Sequence, residues 1–156
     1  MGKLKVMASS FSSNFLHLVW STKNREPLIS PIIEKKIYRL IQEEFESKGC
    51  RVLIINGTFD HVHCLIKLHP SRSESEVVQY AKGVSSRYIN ESDIIEERFG
   101  WQKGYYSVSV SPSLIKQTYR YIERQKVHHE QQDFNKEVEA FSSKEIKNPS
   151  IDGRCF

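Results

Sequence analysis

The chain lacks any long apolar run; none approaches the roughly 20 residues that a membrane-spanning helix requires. Its N-terminal stretch, MGKLKVMASSFSSNF, carries basic residues but no apolar signal core, so a non-secreted, cytoplasmic protein without membrane contact is expected. Cysteine is scarce. Cys50, Cys64 and Cys155 are odd in number, widely spaced and form no CxxC pair, which argues for reduced thiols and against a structural zinc knot. There is no glycine-rich phosphate loop and no internal repeat. Neither sign of charge dominates: 23 Lys and Arg against 19 Asp and Glu leave a net charge of +4. With a pI near 8.9, that balance is compatible with nucleic acid without singling it out.

What is present, 38% hydrophobic and 27% charged residues in 156, suits one globular domain. Phe15 to Thr22 reads as a first strand, apolar on both faces and therefore interior. Ser30 and Pro31 supply the cap and first position of a helix, Ile33, Ile37, Leu40, Ile41 and Phe45 its apolar stripe, and Gly49 its end. Arg51 to Ile55 is a second strand, Asn56-Gly57 a turn signal and His61 to Leu68 a third strand, forming an antiparallel hairpin stopped by Pro70. A second helix runs from Glu74 to Asn90, with Val77, Val78, Ala81, Val84 and Tyr88 inward. Tyr105 to Val110 is a fourth strand, and Ser111-Pro112-Ser113 leads into a third helix from Ser113 to Gln131.

Strand, helix, strand, strand, helix, strand and a final helix form the split βαβ arrangement of an α+β, ferredoxin-like antiparallel sheet. Two helices cover one face, and the other is left for a ligand or the third helix. Residues 1–13 read as a loose or edge segment, 14–135 as the single domain and 136–156 as a polar tail. Phe134, Val138 and Phe141 are the few anchors after Gln131.

Two short runs carry chemistry. In His61-Val62-His63 the histidines project from one face of their strand, while Val62, Cys64 and Ile66 project from the other onto the helices. Two neutral imidazoles so placed can share one divalent ion. Taken alone, an HxH in a chain with six histidines reads as chance, or as histidines satisfied within the fold. Asp60 reads as a turn residue; orienting His61 is its other use. On the third helix, Ile115, Tyr119 and Ile122 share one side, which makes Tyr119 a core residue. Tyr121 and Gln125 share an adjoining face one turn apart, near Arg124 and His128. A tyrosine off the apolar stripe is either half-exposed surface or a functional group. Gln125 and His129 compete as a third metal ligand.

Together these runs resemble the single-tyrosine transposases of the IS200/IS605 type, within the HUH endonuclease superfamily. The resemblance extends over most of residues 14–135. It includes Ser21-Thr22-Lys23-Asn24-Arg25, Asn56-Gly57-Thr58-Phe59-Asp60-His61-Val62-His63 and Lys82-Gly83-Val84-Ser85-Ser86. It continues through Trp101-Gln102-Lys103-Gly104-Tyr105 and Tyr121-Ile122-Glu123-Arg124-Gln125 with His128-His129. It implies that His61 and His63 are the HUH metal pair, Gln125 the third ligand and Tyr121 the catalytic nucleophile, with no departure at these positions. It also implies a homodimer in which the tyrosine helix can complete the partner's site in trans, with Ser109-Val110-Ser111-Pro112-Ser113 as hinge.

The expected activity is that of a metal-dependent transposase. It would nick and rejoin single-stranded DNA beside hairpins through a 5′-phosphotyrosine, using Mg²⁺ or Mn²⁺. Arg25, Lys67, Arg72, Lys82, Arg87, Lys103 and Arg120 are candidate phosphate contacts, and Trp101, Tyr105 and Tyr106 candidate stacking residues. The rivals are a host-adapted repeat-DNA processing enzyme or non-catalytic nucleic-acid-binding derivative, an RNA-recognition module and a plain metal-binding protein. The third strand holds HVH where an RNA-recognition module has its glycine-aromatic run, and Tyr121 in register with Gln125 disfavours the plain metal binder.

Overall fold

A computed structural model describes residues 11–128 and 136, without the side chain of His128. Four strands, β1 (Phe15–Ser21), β2 (Arg51–Gly57), β3 (His61–Lys67) and β4 (Tyr106–Val110), form one sheet in the order β2-β3-β1-β4. Every neighbouring pair is antiparallel. Helix α1 (Pro31–Ser47) joins β1 to β2 and α2 (Glu74–Glu91) joins β3 to β4. The expected α+β, ferredoxin-like topology is therefore the observed one. No helix among the described residues is long and apolar enough to cross a membrane.

Strand alternation divides the apolar residues between two faces. Leu16, Leu18 and Trp20 of β1 join Val62, Cys64 and Ile66 of β3 in the main core. The whole expected α1 stripe, Ile33, Ile37, Leu40, Ile41 and Phe45, is buried. On α2 the buried row is Val77, Val78, Ala81, Ser85 and Ile89, which corrects the reading of Val84 and Tyr88 as inward. Hydropathy disguised the row at Ser85. Its hydroxyl donates to Ala81 O at 2.7 Å and accepts from Trp101 Nε1 at 2.9 Å, so a serine is buried with its polar group satisfied. Tyr88 is instead 39% exposed, with the Lys36 ammonium 4.5 Å from its ring.

The opposite face carries a smaller core of Leu65, Val110 and Ile122, with Phe15, Leu53, Ile54, Ile115 and Tyr121 against it. Helix α3 (Ile115–Glu123) lies on this face, behind a 3₁₀ turn at Pro112–Leu114. A short α4 (Gln125–His128) follows. The expected single helix from Ser113 is thus broken at Arg124, whose φ of −94° and ψ of 12° leave the helical range. Tyr119 is 38% exposed, which corrects its assignment to the core; Ile122 occupies that place. The expected helix end at Gln131, His129 and the anchors Phe134, Val138 and Phe141 lie outside the described residues. Most of the tail and residues 1–10 do too.

The β2–β3 turn also departs from expectation. Asn56 and Gly57 are paired in β2, opposite His63 and Val62, and the chain reverses at residues 58–60. A shift in register between Val52 and Ile54 sets Ile54 opposite Leu65 and Asn56 opposite His63. Asn56 consequently stands on the face that carries α3.

Candidate active site

Both histidines sit in the interior, His61 at 0% and His63 at 1% exposure, on the face covered by α3. Their ring centroids are 5.1 Å apart. The His61 Nδ1–H donates to Asp60 Oδ1 at 2.6 Å and lies 2.9 Å from Thr58 Oγ1. A carboxylate can only accept, so Nδ1 carries a proton, and in the neutral ring the lone pair falls on Nε2. Asp60 is itself gripped. Thr58 Oγ1 donates to its Oδ1 at 3.0 Å, and Arg25 Nε and Nη2 donate to its Oδ2 at 3.1 and 3.0 Å. Burial alone would raise the Asp60 carboxyl; the hydrogen bond and charge of His61, the charge of Arg25 and the Thr58 hydroxyl outweigh it and hold the group well below the usual carboxylate range. Asp60 therefore sits in the turn between β2 and β3, as expected, and from there also orients His61.

Arg25, a candidate phosphate contact, is here paired with this carboxylate through Nε and Nη2. It and Asn24 adopt left-handed φ values of 56° and 53° in the tight turn after β1. A non-glycine residue rarely holds that conformation without compensating contacts. Here the turn delivers the guanidinium to Asp60, while Thr22 N–H bonds Asp60 O at 2.8 Å.

His63 has a partner that sequence reasoning missed. Its Nδ1 is 2.9 Å from Nε2 of His17 on β1, itself only 2% exposed. Burial pushes the His17 pKa down to about 4, so its ring is neutral near pH 7. If His63 Nδ1–H donates to His17 Nε2, the His63 lone pair also falls on Nε2. The signal was present: His17 is the one polar residue inside the otherwise apolar stretch FLHLVW, and it shares the His63 face.

Tyr121 reaches the same group from α3. Its ring centroid is 5.9 Å from that of His63 and 6.0 Å from that of His17, both edge-on. Its hydroxyl is shielded from solvent, as are His61 Nε2, His63 Nε2 and Gln125 Oε1. Gln125 is fully buried on α4, which packs against β2. Two imidazoles and one amide oxygen are donors of the kind that suit a divalent ion of borderline character. Among the described residues no group of three or more His, Cys, Asp or Glu could hold a metal, and His129, the other candidate third ligand, lies outside them.

The other sequence candidates scatter. Lys82 Nζ donates to the carbonyls of Gln102, Lys103 and Gly104 at 2.6, 2.9 and 3.0 Å. An ammonium has three protons, and all are used on this loop, so Lys82 is a loop staple rather than a phosphate contact. Arg72 pairs with Glu76 at 3.0 Å. Arg87 is exposed on α2, across the sheet from His61, and Lys103 and Arg120 are exposed. Lys67 ends β3 on the histidine face, its ammonium 5.9 Å from the Phe15 ring. Trp101 is half-buried, its ring edge-on to Trp20 and Phe99. Tyr105 is 37% exposed, and Tyr106 has a buried hydroxyl on the histidine face. In the expected hinge, Ser109 and Val110 are paired with Leu16 and Phe15, which confines the connection to residues 111–114.

Known proteins match this architecture. The family described as "Transposase IS200 like" matches residues 10–125. The ISDra2 transposase TnpA of Deinococcus radiodurans is 25% identical over 114 residues, covering 70% of this chain and 81% of that one. The transposase for insertion sequence element IS200 of Salmonella typhimurium is 28% identical over 121 residues, covering 74% and 80%. A crystal structure of a protein from Deinococcus radiodurans aligns with a TM-score of 0.62 at 21% identity, over 76% of this chain and 95% of that chain. A REP-associated tyrosine transposase bound to a REP hairpin aligns with a TM-score of 0.56 at 10% identity, over 78% and 69%. At these identities the two structures speak to the fold, which they share.

Proposed function

We propose, from the premise that this chain belongs to the IS200-like transposase family, that it nicks and rejoins single-stranded DNA with Tyr121 as nucleophile. The observation that carries this reading is the Tyr121 ring set edge-on against His63 inside one chain. The Tyr121 oxygen attacks phosphorus as the P–O3′ bond breaks. The phenolic proton leaves and the departing 3′ oxygen gains one. The 5′-phosphate remains on Tyr121, and because that ester keeps the energy of the broken bond, a second 3′-hydroxyl can reverse the step without ATP.

His61 Nε2, His63 Nε2 and the Gln125 amide oxygen would hold Mg²⁺ or Mn²⁺, the imidazoles favouring Mn²⁺. When bound, the ion neutralises charge on a nonbridging phosphate oxygen. Asp60 and His17 keep the two imidazoles in the ligating tautomer, and burial excludes competing water. The substrate is single-stranded beside a hairpin. A cleft of about 680 Å³ next to Asp60, walled by Ile29 and the exposed Phe59, offers an apolar surface to an unpaired base. Joining two ends needs two tyrosines, so the working unit is a homodimer. Tyr121 lies against its own chain's His63, and a trans site requires the helix to cross over at residues 111–114.

The test is incubation with labelled single-stranded hairpin oligonucleotides and Mn²⁺ or Mg²⁺, resolved on denaturing protein gels. A covalent protein–DNA band that EDTA abolishes and Tyr121→Phe lacks is expected. Nicking by Tyr121→Phe removes the nucleophile assignment, and tight binding without any band favours a non-catalytic DNA-binding derivative.

A further inference from the structure

The break between α3 and α4 is held from outside the helix. In an unbroken helix the carbonyls of Ile122 and Glu123 would accept from the amides of residues 126 and 127. Here the Val127 amide turns instead to Arg124 O at 3.0 Å. The two carbonyls accept from Asn56 Nδ2, at 2.9 Å for Ile122 O and 3.0 Å for Glu123 O. One side-chain amide has two protons and uses one on each. Asn56 is also the β2 residue opposite His63. A single side chain thus ties the strand beside one histidine to the point where the chain turns between Tyr121 and Gln125.

We propose that Asn56 is a positioning residue for the metal: its amide fixes the helix break that sets Gln125 relative to His61, His63 and Tyr121. The proposal rests on Gln125 as third ligand. Without the clamp, the carbonyls of Ile122 and Glu123 recover partners by letting α3 run on into α4, which carries Gln125 away from its present place. The effect acts through the protein frame, so it reaches Mn²⁺ even in the absence of DNA.

The experiment is Mn²⁺ titration by electron paramagnetic resonance of the full, metal-free chain. It compares wild type, Asn56→Leu (similar size, no donor), Gln125→Ala and the double variant. Asn56→Leu and Gln125→Ala are each expected to weaken Mn²⁺ binding by about tenfold or more, by analogy with lost outer-shell partners. The double variant should bind no more weakly than Gln125→Ala, because both act on one ligand. A residue that merely stabilised the fold would not show that coupling. Wild-type Mn²⁺ affinity in Asn56→Leu, or additive losses in the double variant, overturns the proposal while leaving Gln125 as ligand. Wild-type affinity in Gln125→Ala overturns the third-ligand reading itself, and this proposal with it. Asn56→Ala, a milder change, guards against misfolding. It should alter amide hydrogen exchange in residues 121–128 and leave α1 and α2 as they were, and unaltered exchange there counts against the clamp.

Discussion

At the scale of single residues, the site depends on which ring nitrogen carries a proton. Asp60 settles this for His61 because a carboxylate accepts only, and it does so while held by Thr58 and Arg25. Where His63 Nδ1–H donates to it, His17 plays the corresponding part for His63, but as a neutral imidazole, a weaker acceptor than a carboxylate. His17→Phe keeps a ring of similar breadth in the buried strand and removes the acceptor. Mn²⁺ affinity by calorimetry should fall about 10- to 100-fold, the usual consequence of losing the outer partner of a ligating histidine. Circular dichroism should remain that of the wild type. An unchanged affinity would show that His63 keeps its tautomer without help, and would reduce His17 to packing.

Elements show where sequence patterns stop being informative. Asn56-Gly57 suggests a tight turn, yet both residues are strand, and the glycine is required for another reason. A Cβ on Gly57 would collide with His61 O and fall 2.9 Å from Val62 Cα, because β3 comes back so close beside it. Gly57→Ala should cost about 1–3 kcal/mol in urea unfolding, the range for forced overpacking. It should also weaken Mn²⁺ binding, since the atom struck belongs to His61; a loss of stability with intact metal affinity would separate the turn from the site. The topology, the α1 stripe and the His61–His63 face were legible because each follows from local periodicity. The α2 register was not, because Ser85 is buried by a tryptophan sixteen residues away. Nor was the Arg124 break, since nothing within residues 115–128 signals it. The donor that supports it lies on β2.

The whole molecule has two cores of unequal size on the two faces of one sheet. The larger, under α1 and α2, includes Trp20, Phe45 and Ile41 at 1% exposure or less. The smaller, under α3, has among the described residues only Leu65, Val110 and Ile122 as buried members. Stability in such a sandwich is uneven, and the element with fewer buried apolar partners opens first. The tyrosine helix is therefore the part expected to leave the sheet first while the histidine strand stays folded, which is what exchange of that helix between subunits would demand. Trp20→Ala should lower global stability by about 3–5 kcal/mol and speed amide exchange throughout the sheet. Ile122→Ala removes the central contact of the smaller core, at a cost of about 2–4 kcal/mol if all of it were felt globally. If α3 is a separable unit, exchange should rise in residues 115–123 while β1 and β3 keep wild-type protection, and the denaturation midpoint should move less than that cost implies. Equal acceleration in α3 and in β1 would mean that the two faces unfold as one, and that the tyrosine helix cannot be released without melting the strand that carries His61 and His63.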